Sequence, residues 1–256
     1  MAYYDRLDVT YSLSLVDFNF SIGEKNNFQI KLPYQIAMGP LATAQGLNDV
    51  SLSYTRTLFA NERQQLSITL GTKIPTGDGN VTKNGLSLPM FYQPSLGTYD
   101  LIAGISWVSQ NWHFAFGYQQ ALNENNNQFN WGIWQAAPQA DDVRKYPVSR
   151  NLMRGLDLML RVEKSFQFAN WSFFTGFLPI YRFTRDVITS PQTGERVDTA
   201  GSEGLVVNWL IGFGYRLNTH STFKLSFARR LYRDRDIQPD GLARIQLLTV
   251  GYQFNF

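Results

Sequence analysis

From Leu248 to the C-terminus the chain alternates: Leu248, Val250, Tyr252, Phe254 and Phe256 fall on one face, and Thr249, Gly251, Gln253 and Asn255 on the other. A period of two argues for a strand. The pattern recurs throughout. Phe28, Ile30, Leu32, Tyr34 and Ile36 alternate with Gln29, Lys31, Pro33 and Gln35; Leu66, Ile68 and Leu70 alternate with Ser67, Thr69 and Gly71. Trp112, Phe114, Phe116 and Tyr118 oppose His113, Ala115, Gly117 and Gln119. Leu156, Leu158, Leu160 and Val162 oppose Asp157, Met159, Arg161 and Glu163. No segment carries a 3.6 period. The alternation predicts strands near 15–22, 27–37, 48–59, 65–75, 98–109, 111–123, 152–165, 170–183, 204–217, 222–233 and 242–256.

Such strands suit two architectures. A soluble antiparallel sheet turns its apolar face to a core; a transmembrane barrel turns it to lipid and its polar face to a lumen. Three features favour the barrel. The segments run about 10 to 14 residues, against about 5–6 in soluble sheets, and a tilted strand needs about 9 to 11 to cross a bilayer. Aromatics gather at strand ends, as in Trp107 and Trp112, Trp171 and Phe173, and Tyr252 to Phe256. Connections alternate between short turns and longer loops near 76–97, 125–150, 184–203 and 234–241, with a shorter one at 39–46. The fold expected is an all-β, transmembrane, antiparallel up-and-down β-barrel in one domain over residues 1–256.

Bacterial single-chain barrels have an even strand number, and the segments above make eleven. Leu7, Val9, Tyr11, Leu13 and Leu15 share one parity, after which Val16, Phe18, Phe20 and Ile22 take the other. Such a slip is a bulge or a reversal. Read as a reversal it adds a strand at 3–12 and gives twelve; ten and fourteen stay open.

Composition narrows the function. The 256 residues carry a net charge of +3 and no basic run longer than a dipeptide, which argues against nucleic acid. There is no cysteine and only two histidines, so thiolate sites and multi-histidine metal centres are excluded, and no metal or cofactor is expected. No apolar run approaches the roughly 18 residues of a membrane-spanning helix. Met1 to Asp5 has neither a basic n-region nor an apolar h-region. An exported protein needs both, so the chain is expected to be a mature form located in the bacterial outer membrane.

Three stretches then carry a resemblance. Gly46-Leu47-Asn48-Asp49-Val50-Ser51-Leu52 opens one strand, Lys73-Ile74-Pro75-Thr76-Gly77-Asp78 closes the next, and Leu88-Pro89 with Gly97-Thr98-Tyr99-Asp100-Leu101 opens a third. Together, over about residues 28–120, they resemble the outer-membrane transporter family associated with the phenol meta-cleavage degradation pathway. The resemblance implies an outer-membrane barrel that takes up small hydrophobic or aromatic molecules, with no catalytic residues to carry over. Read as turn chemistry, Pro75 to Asp78 simply reverses the chain, and Asp49 and Asp100 cap loop N–H groups.

If lipid meets the apolar face, the lumen receives the other. Candidates for a gate or brace there are Asp157, Arg161, Glu163, Arg182, Arg216, Lys224 and Arg230. Buried charges persist when paired, so these form either a filtering constriction or an ionic brace. Phe174, Leu178 and Ile180 supply an apolar wall on the same face, joined by Leu210, Ile245 and Leu247, with Trp131 and Trp134 in the loop above. Arg56, Arg154, Arg229 and Arg244 fall on the lipid parity. Arg229, several residues into its strand, calls for a bulge beside it or a headgroup contact. Expected partners are outer-membrane lipid and lipopolysaccharide, the barrel-assembly machinery through Phe256 and Tyr252, and a small hydrophobic ligand. Enzymatic readings fare worse: His220-Ser221 reads as a turn, and neighbouring strand positions face opposite sides. The functions in view are a channel for small hydrophobic or aromatic solutes, a docking barrel without transport, and, behind both, a lipid-modifying enzyme.

Overall fold

The computed structural model describes residues 9–255. Its strands are β1 (Thr10–Ile22), β2 (Asn26–Met38), β3 (Thr43–Leu47), β4 (Val50–Ala60), β5 (Gln64–Ile74), β6 (Thr82–Lys83), β7 (Leu86–Ser87), β8 (Asp100–Ser109) and β9 (Trp112–Ala121). They continue with β10 (Asp157–Phe168), β11 (Trp171–Arg182), β12 (Asp186–Thr189), β13 (Arg196–Thr199), β14 (Gly204–Arg216), β15 (Ser221–Arg233) and β16 (Gln246–Phe254). Helical structure among the described residues is confined to two 3-10 turns, Met90–Tyr92 and Trp131–Trp134, and one α-turn, α1 (Ala140–Val143).

One antiparallel sheet dominates, in the order β1-β2-β4-β5-β8-β9-β10-β11-β14-β15-β16. Consecutive wall strands pair by short turns at one end and long loops at the other. The hairpins β6–β7 and β12–β13 lie within the long loops. β3 pairs with the upper part of β2, and β4 with the lower part. The register shifts by one residue between Tyr34↔Leu47 and Lys31↔Ser51, so β3 and β4 form one strand interrupted at Asn48-Asp49.

The expected phase slip in β1 is neither a reversal nor a bulge. Thr10 to Ile22 pairs with β2 without a break, from Thr10↔Met38 to Ile22↔Asn26. Residues 10–12 therefore belong to β1, which corrects the separate strand expected at 3–12; the remainder of that segment up to residue 8 lies outside the described residues. The face itself changes character. Tyr11, Leu13 and Leu15 share the side of Ala37, Gln35 and Pro33, whereas Val16, Phe18 and Phe20 share that of Leu32, Ile30 and Phe28. Apolar side chains thus occupy the polar face near the loop end.

β1 pairs only with β2, and β16 only with β15, among the described residues. The two edge strands run in the same direction and are exposed on both faces. The sheet is open between them. It is nonetheless curled, because Arg244, just before β16, donates to Gln35 Oε1 of β2 at 3.0 Å and stacks on Tyr11 of β1 at 4.9 Å.

The convex face is apolar and exposed: Leu70, Phe116, Phe177, Leu248 and Val250 all project from it. Near the short turns it becomes an aromatic belt. Phe20 stacks on Phe28, which contacts Tyr54; Trp107 and Trp112 flank Phe114; Phe173 bridges Phe166 and Phe213; Trp171 meets Tyr215 at 4.5 Å. These are cross-strand or same-face neighbours, which pleated pairing brings within contact distance.

The buried apolar core lies in the loops rather than between sheets. Leu41, Leu88, Phe91, Tyr92, Phe129, Trp134, Val143 and Tyr146 form one cluster at the long-loop end. It draws on the β2–β3 turn, the 75–99 loop and the 122–156 loop. The 234–245 loop rests on it: Gly241 takes φ 70°, and a Cβ there would lie 2.7 Å from the Met90–Phe91 backbone. The wall thus carries a folded cap.

Candidate functional site

Beneath the cap, on the concave face, charged residues converge from several strands. Asp157 opens β10 and Arg182 ends β11, directly opposite each other in register. Arg182 Nε and Nη2 donate to Asp157 Oδ1 and Oδ2 at 2.8 and 2.6 Å, a bidentate pair. Arg182 Nη1 turns the other way, donating to Asp186 Oδ1 at 2.7 Å and lying 2.9 Å from Asp240 Oδ2. Arg235 stands 3.5 Å from Asp240. Beside this group, Arg154 pairs with Asp100, which also accepts from Thr98 and Gln119. Arg182, Asp186, Asp240 and Asp100 are closed to solvent.

Opposite charges mix here: Lys73, Arg154, Arg182 and Arg235 stand among Asp100, Asp157, Asp186 and Asp240. Burial pushes the Asp186 carboxyl up to about 6, against the pull of Arg182. Burial pushes Asp240 the same way, but the guanidiniums of Arg182, Arg235 and Arg154 outweigh it and hold its carboxyl below the usual range. Because Asp186 and Asp240 come from loops and Asp157 and Arg182 from the wall, the cluster fastens cap to sheet. This is bracing geometry.

The other gate candidates lie lower. Arg161 Nε donates to Glu163 Oε1 at 2.6 Å, and His113 Nδ1 is 3.4 Å from Glu163 Oε2. Glu163 is buried while Arg161 is half-exposed. Gly176 makes this possible, since a Cβ there would meet Glu163 Cγ at 2.6 Å. Arg216 and Lys224 are exposed near the short turns, in line with Thr222 and Gly214 of the facing strands, and stand apart from the upper cluster. Arg230 donates to Ala243 O at 3.2 Å. The expected irregularity beside it is present: the β14–β15 register shifts between Val207 and Asn208, skipping Leu231, with Arg230 on the polar face and Arg229 on the other.

A cavity of about 290 Å3 lies directly under the brace. Met159, Leu178, Ile180, Val206, Leu210, Ile245 and Leu247 give it an apolar wall. Leu178 and Ile180 thus sit where parity placed them. Phe174 shares their face but lies deeper, its ring across Gly212, where a Cβ would come within 2.1 Å. The two loop tryptophans do not join this wall. Trp134 is buried in the cap core, donating to Ser87 O at 2.9 Å; Trp131 is at the cap surface, donating to Tyr146 O at 2.8 Å.

Two arginines are corrected. Arg154 and Arg244 precede β10 and β16, in irregular chain where strand parity no longer applies. Both turn to the concave face and line the cavity instead of facing outward. Arg56 and Arg229 do lie on the apolar face, opposite Ile68 and Trp209. Asp49 takes the capping role: its carboxylate accepts from Ser95 Oγ and from Leu96 N at 3.1 Å. His220 and Ser221 form no dyad; His220 Nδ1 contacts Asn255 O and Ser221 Oγ contacts Tyr252 OH. Asp186, Asp240 and Arg235 escaped sequence reasoning, and the dense Arg233-Asp234-Arg235-Asp236 run was the one compositional hint.

No protein-family profile matches the chain, and no curated protein matches it. Among solved structures it is similar to an outer membrane channel from Pseudomonas putida F1, with TM-score 0.60 and 10% identity over 89% of this chain and 79% of that one. It is also similar to the NanC porin, with TM-score 0.52 and 8% identity over 97% of each chain. At these identities the likeness concerns the fold, which is the one used by outer-membrane channels and porins.

Proposed function

We propose that this chain is an outer-membrane channel for small hydrophobic or aromatic solutes. One observation carries the reading: the wall exposes a continuous apolar face with an aromatic belt, while its concave face holds charged groups and a half-apolar cavity. Exposed apolar surface on this scale marks a membrane or partner contact. Lipid outside and water inside is the barrel arrangement that strands of this length suit. The similarity in fold to an outer membrane channel and to a porin supports the same reading.

In this reading the sheet closes into a barrel. Its edges β1 and β16 run the same way, so an all-antiparallel closure takes one strand more than the eleven of the continuous path, giving twelve. Lipid and lipopolysaccharide cover the apolar face. The aromatic pattern of Tyr252 with Phe256 is offered to the barrel-assembly machinery; Phe256 lies outside the described residues. The activity is transport rather than catalysis.

Single-channel recording in planar bilayers, with liposome uptake of benzyl alcohol as a neutral aromatic probe, tests this. The channel reading expects both discrete conductance and faster uptake than in empty liposomes. A chain that inserts but is silent in both is a docking barrel, a reading that the large folded cap favours. Hydrolysis of phospholipid by the purified chain would instead indicate an enzyme.

A further inference from the structure

The cavity under the brace is unbalanced in a way the wall does not require. Six cationic side chains line it, with one carboxylate, Asp157. Much of that charge is answered from behind by Asp100, Asp186 and Asp240, but two donors on the cavity residues are not used. Arg154 Nε and Arg244 Nε are closed to solvent and make no hydrogen bond, and the same holds for the acceptor Gln238 Oε1, whereas Arg235 Nη2 faces Asp240 Oδ2 at 3.5 Å. Arg154 and Arg235 are almost wholly buried, at 3% and 4% exposure. Arg244 has no carboxylate within ion-pair distance among the described residues; its contacts are the Gln35 amide oxygen and the Tyr11 ring.

A buried guanidinium N–H left without an acceptor forfeits its hydration with nothing in return, and the loss is larger because the group is charged. Two such donors, on Arg154 and Arg244, beside one cavity form an incomplete anion site. A carboxylate has about four lone-pair positions and accepts from guanidinium forks in its plane. The rest of the cavity is unsuited to a small hydrated anion, because Leu178, Leu210 and Val206 offer no hydrogen bond. The volume, about 290 Å3, stands at the lower limit of the 300–1,000 Å3 typical of ligand pockets, which favours a compact body of about one ring.

We infer that the cavity binds a small amphipathic carboxylate. Its anionic end is held by Arg154 and Arg244, and its aromatic or short aliphatic body lies against Leu178, Leu210 and Val206. This rests on the channel reading and names its solute class: acids with an apolar body rather than neutral hydrocarbons. Guanidiniums at the outer end collect the anion, and the apolar wall distinguishes it from inorganic anions.

The test uses the full chain in detergent and titration calorimetry with three probes: benzoate, benzyl alcohol (the ring without the charge) and acetate (the charge without the ring). Benzoate is expected to bind at least tenfold more tightly than either of the others. Arg244→Gln is expected to weaken benzoate at least tenfold and leave benzyl alcohol within twofold, while Arg244→Lys recovers part of the loss. Equal binding of benzoate and benzyl alcohol to the unmodified chain would overturn the proposal without reference to any variant. So would benzoate binding that Arg244→Gln leaves intact. Planar-bilayer conductance measured on the same preparation separates the two readings. A conducting chain that ignores benzoate keeps the channel and loses the site; a silent chain that binds benzoate keeps the site and loses the channel.

Discussion

The two ends of the concave face are built on different principles. At the short-turn end it is lined by small and polar residues, among them Ser53, Ser67, Gly214 and Gly251, with Lys224 and Arg216 exposed. At the loop end the charges are buried and paired, and a cap with its own apolar core sits above them. The lower half is a lining with one local ionic group, Glu163 with Arg161 and His113; the upper half is a lid fastened by ions. The difference places sensitivity to mutation at the loop end and, under the proposed channel function, solute selection there as well, although the wall is continuous between the two.

The largest effect expected comes from Arg182→Met. It removes one guanidinium and leaves Asp157, Asp186 and Asp240 buried without their shared partner. Breaking a buried pair on one side costs about 3–5 kcal/mol, and the urea midpoint of the detergent-folded chain should fall accordingly. A midpoint unchanged from the parent would erase the contrast between the ends.

Trp134→Ala comes next. The side chain is the largest one wholly buried in the cap, and such truncations cost about 3–5 kcal/mol. The loss should be confined to the cap, with faster proteolysis in the 122–156 loop and unchanged strand signal in circular dichroism. Cleavage in the wall turns instead would mean that cap and wall unfold together.

A smaller effect should appear with pH. Folded, Asp186 keeps its proton to about pH 6, against 3.8 for the ordinary carboxyl. The folded state therefore binds more protons between those values, and stability contributed at this residue falls as pH rises through that window. Asp240, with its pKa depressed, acts the other way: its contribution is present above 3.8 and fades as pH drops through the lowered value. Asp186→Asn should remove the decline between pH 4 and 6, read from urea midpoints across that range. A decline that persists in the variant would assign it to another group.

Lys224→Ala at the opposite end should be nearly silent. The side chain is exposed, and such substitutions stay within about 0.5 kcal/mol. A larger loss would show that bracing in the lower half extends beyond Glu163 to Lys224.

The wall was readable because a strand repeats every two residues and each segment was long enough to show it. Eleven of the expected segments became strands, with ends displaced by a few residues, and the separate strand at 3–12 did not. The readings failed where the periodicity stops. Arg154 and Arg244 were placed outward by extending parity beyond β10 and β16 into chain that no ladder holds. Leu13 and Leu15 looked like a change of strand because apolar side chains were assumed to face one way only; in β1 they take the concave face near the cap. The cap itself was invisible. Its core residues, from Leu41 to Tyr146, come from separate loops and share no spacing. Asp157 and Arg182 were found because both lie on strands in facing register, whereas Asp186 and Asp240 reach the same cluster from loops.

The account turns on flux being set at the outer end, and bilayer recordings of the unmodified chain, Trp134→Ala and Lys224→Ala test it most directly. Loosening the cap should raise the mean current severalfold, with strand signal unchanged, while Lys224→Ala should leave it within twofold. A current that follows Lys224 and ignores Trp134, or no current from any of the three chains, would contradict it.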